Sequence, residues 1–171
     1  MVRSLEGLPE PPPLPPGLRL RALTPEDATR YAELLQANAE LGNWDLARVQ
    51  KMTENDVPFS EIFVIEDEAG RFLSTACVGP AHADYPFGTV ALGWVASHPE
   101  ARGRGLGSAV CVAAMRRARE RGASGMMLLT DDWRLPALRL YLKLGFSPDR
   151  RANPSFRERW EELLAGSLSD K

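Results

Sequence analysis

The part of this sequence with the clearest chemical potential is a run in which glycine alternates with larger residues. It lies between a strand-like segment, residues 88–97, and a helix-like segment, residues 106–121. Alternate glycines leave several backbone N–H groups free to converge on one anion, and the positive end of the helix dipole lies behind them. The run therefore predicts a site for a phosphate or pyrophosphate group. Its residues are Arg102, Gly103, Arg104, Gly105, Leu106, Gly107 and Ser108.

Two common phosphate-binding loops fit this run poorly. A P-loop requires a lysine before the serine or threonine that holds magnesium, and here Gly107 directly precedes Ser108. A dinucleotide-binding fold has the spacing G-x-G-x-x-G and an acidic residue on the next strand. The spacing here is G-x-G-x-G, and the next strand-like segment, residues 124–130, has no acidic residue.

Two patterns point to a third class of loop. The run contains R-x-x-G-x-G at residues 102–107, after the turn H-P-E at residues 98–100, and A-x-x-L-Y-x-x-x-G-F occupies residues 137–146. Their order, separation and context resemble the two signature motifs of the GNAT superfamily of acetyl-CoA-dependent N-acetyltransferases. The resemblance covers about residues 18–146, and the overall pattern is similar to that of the mycothiol synthase type of GNAT domain.

This resemblance implies an α+β fold. Its sheet is mixed and mostly antiparallel, has helices on both faces, and contains a V-shaped split between two central parallel strands. One of these strands ends near Ser97 and the other includes Met126. A bulge in the first strand would leave backbone groups free to bond a ligand.

The resemblance also implies the cofactor contacts. The pantetheine arm of acetyl-CoA, the acetyl donor, pairs with the backbone of Val95, Ala96 and Ser97, while the diphosphate binds the amides of residues 103–108. Arg134 and Ala137 lie beside the arm. The sequence departs from the family at two of these positions, since Arg134 stands where an asparagine is frequent and Ser97 where an apolar residue is usual.

The implied reaction is direct attack of a primary amine on the thioester within a ternary complex. The acceptor is a small molecule or a peptide. The resemblance makes Tyr141 the candidate general acid for the leaving sulfur, and its helical spacing with Ala137 and Leu144 directs it toward the sheet; the alternative is a buried structural tyrosine hydrogen-bonded to a carbonyl. Backbone N–H groups near Ala96 and Ser97 would polarise the carbonyl.

A general base is harder to find. Residues 90–95 contain no carboxylate, and the nearest candidates by topology are His82 and Asp84 in the preceding loop. His98 is expected to be solvated. The walls of the acceptor pocket would come from Trp44, Trp133 and two loops, residues 57–59 and 79–88.

The elements that must position these groups follow from periodicity and turn signals. Thr24 and Asp27 form a capping box that opens the first helix. The predicted strands are residues 17–23, 61–67, 71–78, 89–96 and 124–130, and the predicted helices are residues 24–40, 44–52, 106–121, 135–144 and 155–165.

Composition narrows the function further. The chain has 171 residues and a formal net charge of −2, so no electrostatic signal favours nucleic acid. No apolar run approaches the ~18 residues of a membrane span, and no signal peptide is evident. Cys77 and Cys111 are predicted to be small buried hydrophobes. These features predict a cytoplasmic protein with no membrane partner and no metal.

Residues 1–16 are predicted to form a proline-rich arm, and residues 17–171 a single domain. The arm contains two P-x-x-P registers, so it is either a ligand for an SH3-like domain or a stiff segment packed on the surface. The last helix would cover a sheet edge or form a homodimer. Two other functions stay open: a CoA-binding sensor without turnover, and an adaptor acting through the arm.

Overall fold

The computed structural model describes residues 1–38, 41–54, 61–149 and 158–162. The described strands are β1 (Val2–Ser4), β2 (Arg19–Ala22), β3 (Glu61–Glu66), β4 (Phe72–Pro80), β5 (Thr89–Ser97) and β6 (Gly125–Met127). The described helices with named bounds are α1 (Ala28–Gln36), α2 (Leu46–Glu54), α3 (Leu106–Glu120) and α4 (Leu135–Lys143). Short 3-10 turns, Pro25–Asp27 and Pro99–Ala101, precede α1 and the glycine run.

The strands form one sheet in the order β1-β6-β5-β4-β3-β2. Every neighbouring pair is antiparallel except β5 and β6, which are parallel. Helix α3 packs against one face of β3, β4 and β5, and α1 packs against the other face with α2 beside it. Each layer has its own apolar cluster. The α+β fold with a mixed, mostly antiparallel sheet and helices on both faces is therefore confirmed.

The two parallel strands diverge. Strand β6 pairs only with Thr89, Val90 and Ala91 at the start of β5, so the rest of β5 separates from it. On the other edge of β5, two residues, Trp94 and Val95, face Ala76 alone, because the register shifts there. This bulge holds Trp94 at a φ of 49°, a left-handed conformation uncommon for a side chain of this size. The predicted split is present, and the predicted bulge lies at Trp94 and Val95.

Helix starts follow local capping. Asp27 accepts a hydrogen bond from the Thr24 N–H at 2.9 Å, as the predicted capping box requires. Helix α2 begins at Leu46 rather than at Trp44, because the Asp45 carboxylate accepts from the Arg48 N–H at 2.8 Å and so caps the first turn. Helix α1 ends at Gln36, earlier than predicted, and residues 39–40 lie outside the described residues.

The sequence pattern did not predict strand β1. Val2–Ser4 pairs with β6 and so covers an edge of the sheet, and Leu5 is buried beside it. Three strand residues are too few to show the alternation by which a strand is recognised. The proline-rich segment that follows lies along α3, where Arg116 donates to the Pro9 carbonyl at 3.1 Å. The division of the chain at residue 16 stays a prediction.

Near the end of the described chain, residues 158–162 are helical. Trp160 packs against the α3 side of the core, and Arg159 pairs with Asp132. The predicted capping residue Ser155 lies outside the described residues, and the homodimer stays a prediction. None of the described helices is both long and apolar enough to cross a bilayer. Burial raises the pKa of Cys77 and of Cys111 to about 12.

Candidate active site

A cleft of about 450 Å³ opens where β5 and β6 diverge, at the start of α3 and beside α4. It brings together the predicted phosphate loop, the open part of β5 and the predicted general acid. The predicted residues that line it are Val95, Ala96, Ser97, Arg102, Gly103, Gly105, Leu106, Gly107, Ser108, Arg134, Ala137 and Tyr141. Arg104 is exposed and is not among the lining residues, so its predicted contact has no support from the geometry.

Backbone conformation explains the glycines of the loop. Gly103 and Gly105 have φ of 78° and 77°, in the left-handed region that favours glycine. A Cβ added to either would meet no atom within 4 Å, so glycine is required here by the backbone conformation and not by steric crowding. The first intrahelical hydrogen bond of α3 runs from the Ala109 N–H to the Gly105 carbonyl, at 3.1 Å. The N–H groups of residues 106–108 therefore have no acceptor within the helix and suit an anion.

Asn38, at the end of α1, also lines this cleft, and the sequence did not point to it. Its Oδ1 accepts from Arg102 Nη2 at 3.2 Å, and its Nδ2 donates to the Leu34 carbonyl at 2.9 Å. Asn38 is only 6% exposed. It therefore fixes one end of the Arg102 guanidinium beside the phosphate loop.

Two serine hydroxyl groups, one on β5 and one on β4, meet beside the open part of β5. Ser97, the last residue of β5, lines the cleft, and its Oγ lies 2.9 Å from the Oγ of Ser74 on β4. Ser74 is fully buried and donates to the Ala96 carbonyl at 2.9 Å. The predicted backbone site at residues 95–97 is thus braced from behind by a side chain of the neighbouring strand.

Tyr141 lies on α4 and is only 6% exposed, yet it is among the residues that line the cleft. Burial, with Cys111 nearby, raises the pKa of its phenol above the ordinary value of 10.0, and Arg134 lowers it by a smaller amount. Among the described residues no protein group makes a hydrogen bond with this hydroxyl. The phenol therefore stays protonated near neutral pH and can donate to a ligand.

The loop before α4 forms one rim of the cleft. Arg134 pairs with Asp131, with Nε and Oδ2 3.2 Å apart, and its guanidinium lies over the Trp133 ring at 4.8 Å from the centroid. Trp133 is 59% exposed and lines the cleft. Arg134 therefore reaches the cleft but is held at the rim by neighbouring side chains, unlike the amide that the family usually places there.

The structure does not support the predicted bases. His82 and Asp84 precede the first residue of β5, and six residues of strand separate that point from Val95, a distance of about 20 Å at the usual rise per residue. Neither lines the cleft. His98 is engaged locally, since its Nδ1 accepts from the Glu100 N–H at 3.4 Å.

The predicted acceptor walls are corrected in part. Trp44 is buried in the α1–α2 layer, and its ring meets Trp94 edge-on, with centroids 4.5 Å apart. Trp94 itself lines a second cavity of about 290 Å³ on the same face of the sheet as α2. Residues 57–59 lie outside the described residues. The cavity is also lined by Leu23, Thr24, Pro25, Met52, Glu61, Ile62, Cys77, Val78, Gly79 and Pro80.

Comparison with known proteins agrees with this architecture. The sequence model of the acetyltransferase (GNAT) family matches residues 26–146. A mycothiol acetyltransferase of Actinosynnema mirum is 33% identical over 159 residues, which cover 86% of this chain and 50% of that protein. A mycothiol acetyltransferase of Nocardia farcinica is 35% identical over 163 residues, which cover 86% of this chain and 52% of that protein. The chain spans about half the length of these relatives.

Solved structures give the same fold. A GCN5-related N-acetyltransferase from Sphaerobacter thermophilus superposes with a TM-score of 0.68 at 21% identity, covering 84% of this chain and 45% of that one. A putative acetyltransferase from Salmonella typhimurium, solved with acetyl-CoA, superposes with a TM-score of 0.64 at 21% identity. The superposition covers 77% of this chain and 80% of that one. On the family match over residues 26–146, this chain belongs to the GNAT acetyltransferase family.

Proposed function

We propose that this domain transfers the acetyl group of acetyl-CoA to a primary amine of a small molecule or peptide. The observation that carries the proposal is the meeting, in one cleft, of the free N–H groups at the start of α3 with the protonated phenol of Tyr141. An anion site alone would suit many phosphorylated ligands. A buried acid at the same cleft suits a ligand with a leaving group to protonate.

The chain offers a separate contact to each part of acetyl-CoA. The amides of residues 106–108 would hold the diphosphate, and Arg102 would add charge beside it. The open edge of β5 at residues 95–97 would pair with the amides of the pantetheine arm. When bound, the thioester supplies the activated acetyl group.

In the transfer, the amine nitrogen bonds to the acetyl carbon and the carbon–sulfur bond breaks. Tyr141 donates its phenolic proton to the departing sulfur, and backbone N–H groups near Ala96 and Ser97 polarise the carbonyl. Among the described residues lining the cleft, none carries a carboxylate or an imidazole. Glu61, the one described carboxylate lining the second cavity, is paired with Arg117 and Arg121. The proton of the amine therefore leaves through water, and the phenol regains its own proton from solvent.

The cavity beside Trp94 is the site we propose for the acceptor. Its lining is largely apolar, and Glu61, its one described carboxylate, is held by Arg117 at 2.9 Å and Arg121 at 3.0 Å. The relatives named mycothiol acetyltransferase support an acceptor of small-molecule size. Because acetyl-CoA is an intracellular metabolite, the proposal includes a cytoplasmic location. A sensor without turnover would not need an acid in the cleft, so transfer is the better account.

Replacing a loop glycine tests the proposal. Gly105 and Gly122 flank α3, both have left-handed φ (77° and 90°), and neither has an atom within 4 Å of an added Cβ. Alanine at either position carries a similar backbone cost, roughly 1 kcal/mol. We expect Gly105→Ala to weaken CoA binding at least tenfold by calorimetry and Gly122→Ala to leave it unchanged. If the wild-type protein bound no CoA and released no thiol with a panel of amines, the proposal would fail.

A further inference from the structure

The Ser74–Ser97 pair has a fixed direction of hydrogen bonding. A serine hydroxyl has one proton, and a carbonyl can only accept, so the Ser74 proton is committed to the Ala96 carbonyl at 2.9 Å. The 2.9 Å contact between the two Oγ atoms must then use the proton of Ser97. Ser97 is left with lone pairs and no proton to offer.

Ser97 is among the residues that line the cleft. Its Oγ lies 3.7 Å from the point that a Cβ on Gly107 would occupy, and Leu140 Cδ2 lies 3.4 Å from the same point. A side chain at residue 107 would therefore lie against the Ser97 hydroxyl, and glycine leaves that hydroxyl uncovered from this direction. A ligand chain running from the phosphate loop along β5 passes Ser97.

We propose that Ser74 sets Ser97 as a hydrogen-bond acceptor for an amide N–H of the pantetheine arm, so that Ser97 binds the arm directly and Ser74 is a positioning residue. This rests on the proposed function, because it assumes that the cleft binds CoA. The chemistry selects the partner: an acceptor without a proton matches a secondary amide N–H and cannot donate to a phosphate or a carbonyl. Serine replaces the apolar residue usual at this position, and so adds a side-chain contact to the backbone ones.

Two ligands separate this contact from the rest of the site. CoA carries the pantetheine arm, and adenosine 3′,5′-bisphosphate shares its nucleotide end without the arm. We expect Ser97→Ala to weaken CoA binding by about 3- to 10-fold, the usual effect of one lost hydrogen bond, and to leave bisphosphate binding unchanged. Both affinities come from one preparation by calorimetry, so an unfolded fraction cancels in their ratio.

The role of Ser74 is tested by comparing the CoA affinities of single and double variants. Ser74→Ala removes the acceptor that orients the Ser97 hydroxyl, so we expect a smaller loss of CoA affinity than in Ser97→Ala. If the effect of Ser74 on the arm runs through Ser97, the double variant should lose no more CoA affinity than Ser97→Ala alone, and a larger loss would show that Ser74 acts through the Ala96 carbonyl and overturn its positioning role. The matched control is Thr75→Val, which deletes a fully buried hydroxyl from the next residue of β4, where it faces Phe63 and Tyr31 instead of the cleft.

The outcomes separate the two proposals. A wild-type protein that binds neither CoA nor the bisphosphate overturns the proposed function and this inference with it. A wild-type protein that binds CoA, with an unchanged affinity ratio in Ser97→Ala, overturns this inference alone. A ratio in Thr75→Val that shifts as much as in Ser97→Ala also overturns it, because the effect would then be a general loss of packing in β4.

Discussion

At the scale of single residues, two tyrosines are both buried but differ in whether the hydroxyl has a hydrogen-bond partner within the protein. Burial raises the pKa of both Tyr31 and Tyr141 above the ordinary value of 10.0. The Tyr31 hydroxyl meets Thr75 Oγ1 at 3.3 Å inside the α1 layer, so its hydrogen-bonding capacity is used within the protein. The Tyr141 hydroxyl has no such partner among the described residues, and its ring lines the cleft. A buried hydroxyl without a hydrogen-bond partner costs free energy, and a bound ligand that accepts its proton would remove that cost.

Tyr141→Phe tests the acid role. We expect kcat to fall roughly 10²-fold, because the sulfur leaves without a proton donor, while the KM for acetyl-CoA changes little. Steady-state kinetics measure both constants. Tyr31→Phe is the control: it should lose stability, about 1 kcal/mol, and keep kcat. Equal kcat values in the wild type and Tyr141→Phe would remove Tyr141 from the mechanism.

The pH dependence follows from the raised pKa of Tyr141. The phenol stays protonated, and so able to act as an acid, up to and beyond its ordinary pKa of about 10. The acceptor amine must be neutral, so we expect kcat/KM for the amine to rise from pH 7 toward the pKa of the amine, without a fall caused by Tyr141 below about pH 10. Rate profiles of the wild type and Tyr141→Phe check this. A descending limb that begins near pH 8 in the wild type and is missing in the variant would contradict it.

At the scale of elements, a charged network joins α1 to the edge of the sheet formed by β2 and β3. Asp27 and Glu66 are nearly fully buried, and both accept from Arg21, at 3.0 Å and 2.8 Å from its Nη2. Arg30 bonds Asp27 as well, and its guanidinium lies over the Phe72 ring at 4.8 Å. The network holds α1, and with it Asn38, in place beside the cleft.

Asp27→Asn tests this network. Hydrogen bonds from Arg21 lower the pKa of Asp27 and of Glu66, so both carboxylates stabilise the fold while they are charged. That stability is present above the unfolded pKa of about 4 and is lost as the pH falls below it, toward the lower pKa of the folded state. We expect Asp27→Asn to cost roughly 1 to 2 kcal/mol at pH 7, since Arg21 and Arg30 lose a buried charged partner but stay partly exposed to water, and less at pH 3.

Urea unfolding at the two pH values measures this effect. Asp67→Asn, which alters the partly exposed Asp67–Arg71 pair in the turn directly after β3, is the control and should change stability little at either pH. A loss in Asp27→Asn that is the same at pH 3 and pH 7 would mean that packing, and not charge, carries the stability of this network.

Local signals in the sequence account for part of the site and of the fold. The left-handed φ of Gly105 explains why glycine stands there, and Tyr141 lies within a short motif on one helix that resembles the family's, so a short window of sequence predicted both. Asn38 and Ser74 bind partners 64 and 23 residues away, and no local pattern marks either. Strand β1 depends on β6, which follows it by more than a hundred residues, so its three residues carried no signal of their own.

At the scale of the whole molecule, the first residues complete the sheet and the α3 layer. Strand β1 covers the outer edge of β6, the shorter of the two strands that form the split. Leu8 and Leu14 then pack on the same core as α3, and Arg116 holds Pro9 and Glu10. The arm proposed as an adaptor is therefore engaged with its own domain, and its removal exposes both a strand edge and apolar surface.

Removal of residues 1–16 tests this arrangement. We expect a marked loss of thermal stability and self-association of the truncated protein, because β6 presents unpaired N–H and C=O groups and Leu5 no longer covers the core. The double variant Leu8→Ser and Leu14→Ser, which keeps β1, should lose less stability and stay monodisperse. Calorimetry and light scattering at several protein concentrations measure the two effects. A truncated protein that melts like the wild type and scatters no more would show that the sheet is complete at β6, and that residues 1–16 are a separate arm after all.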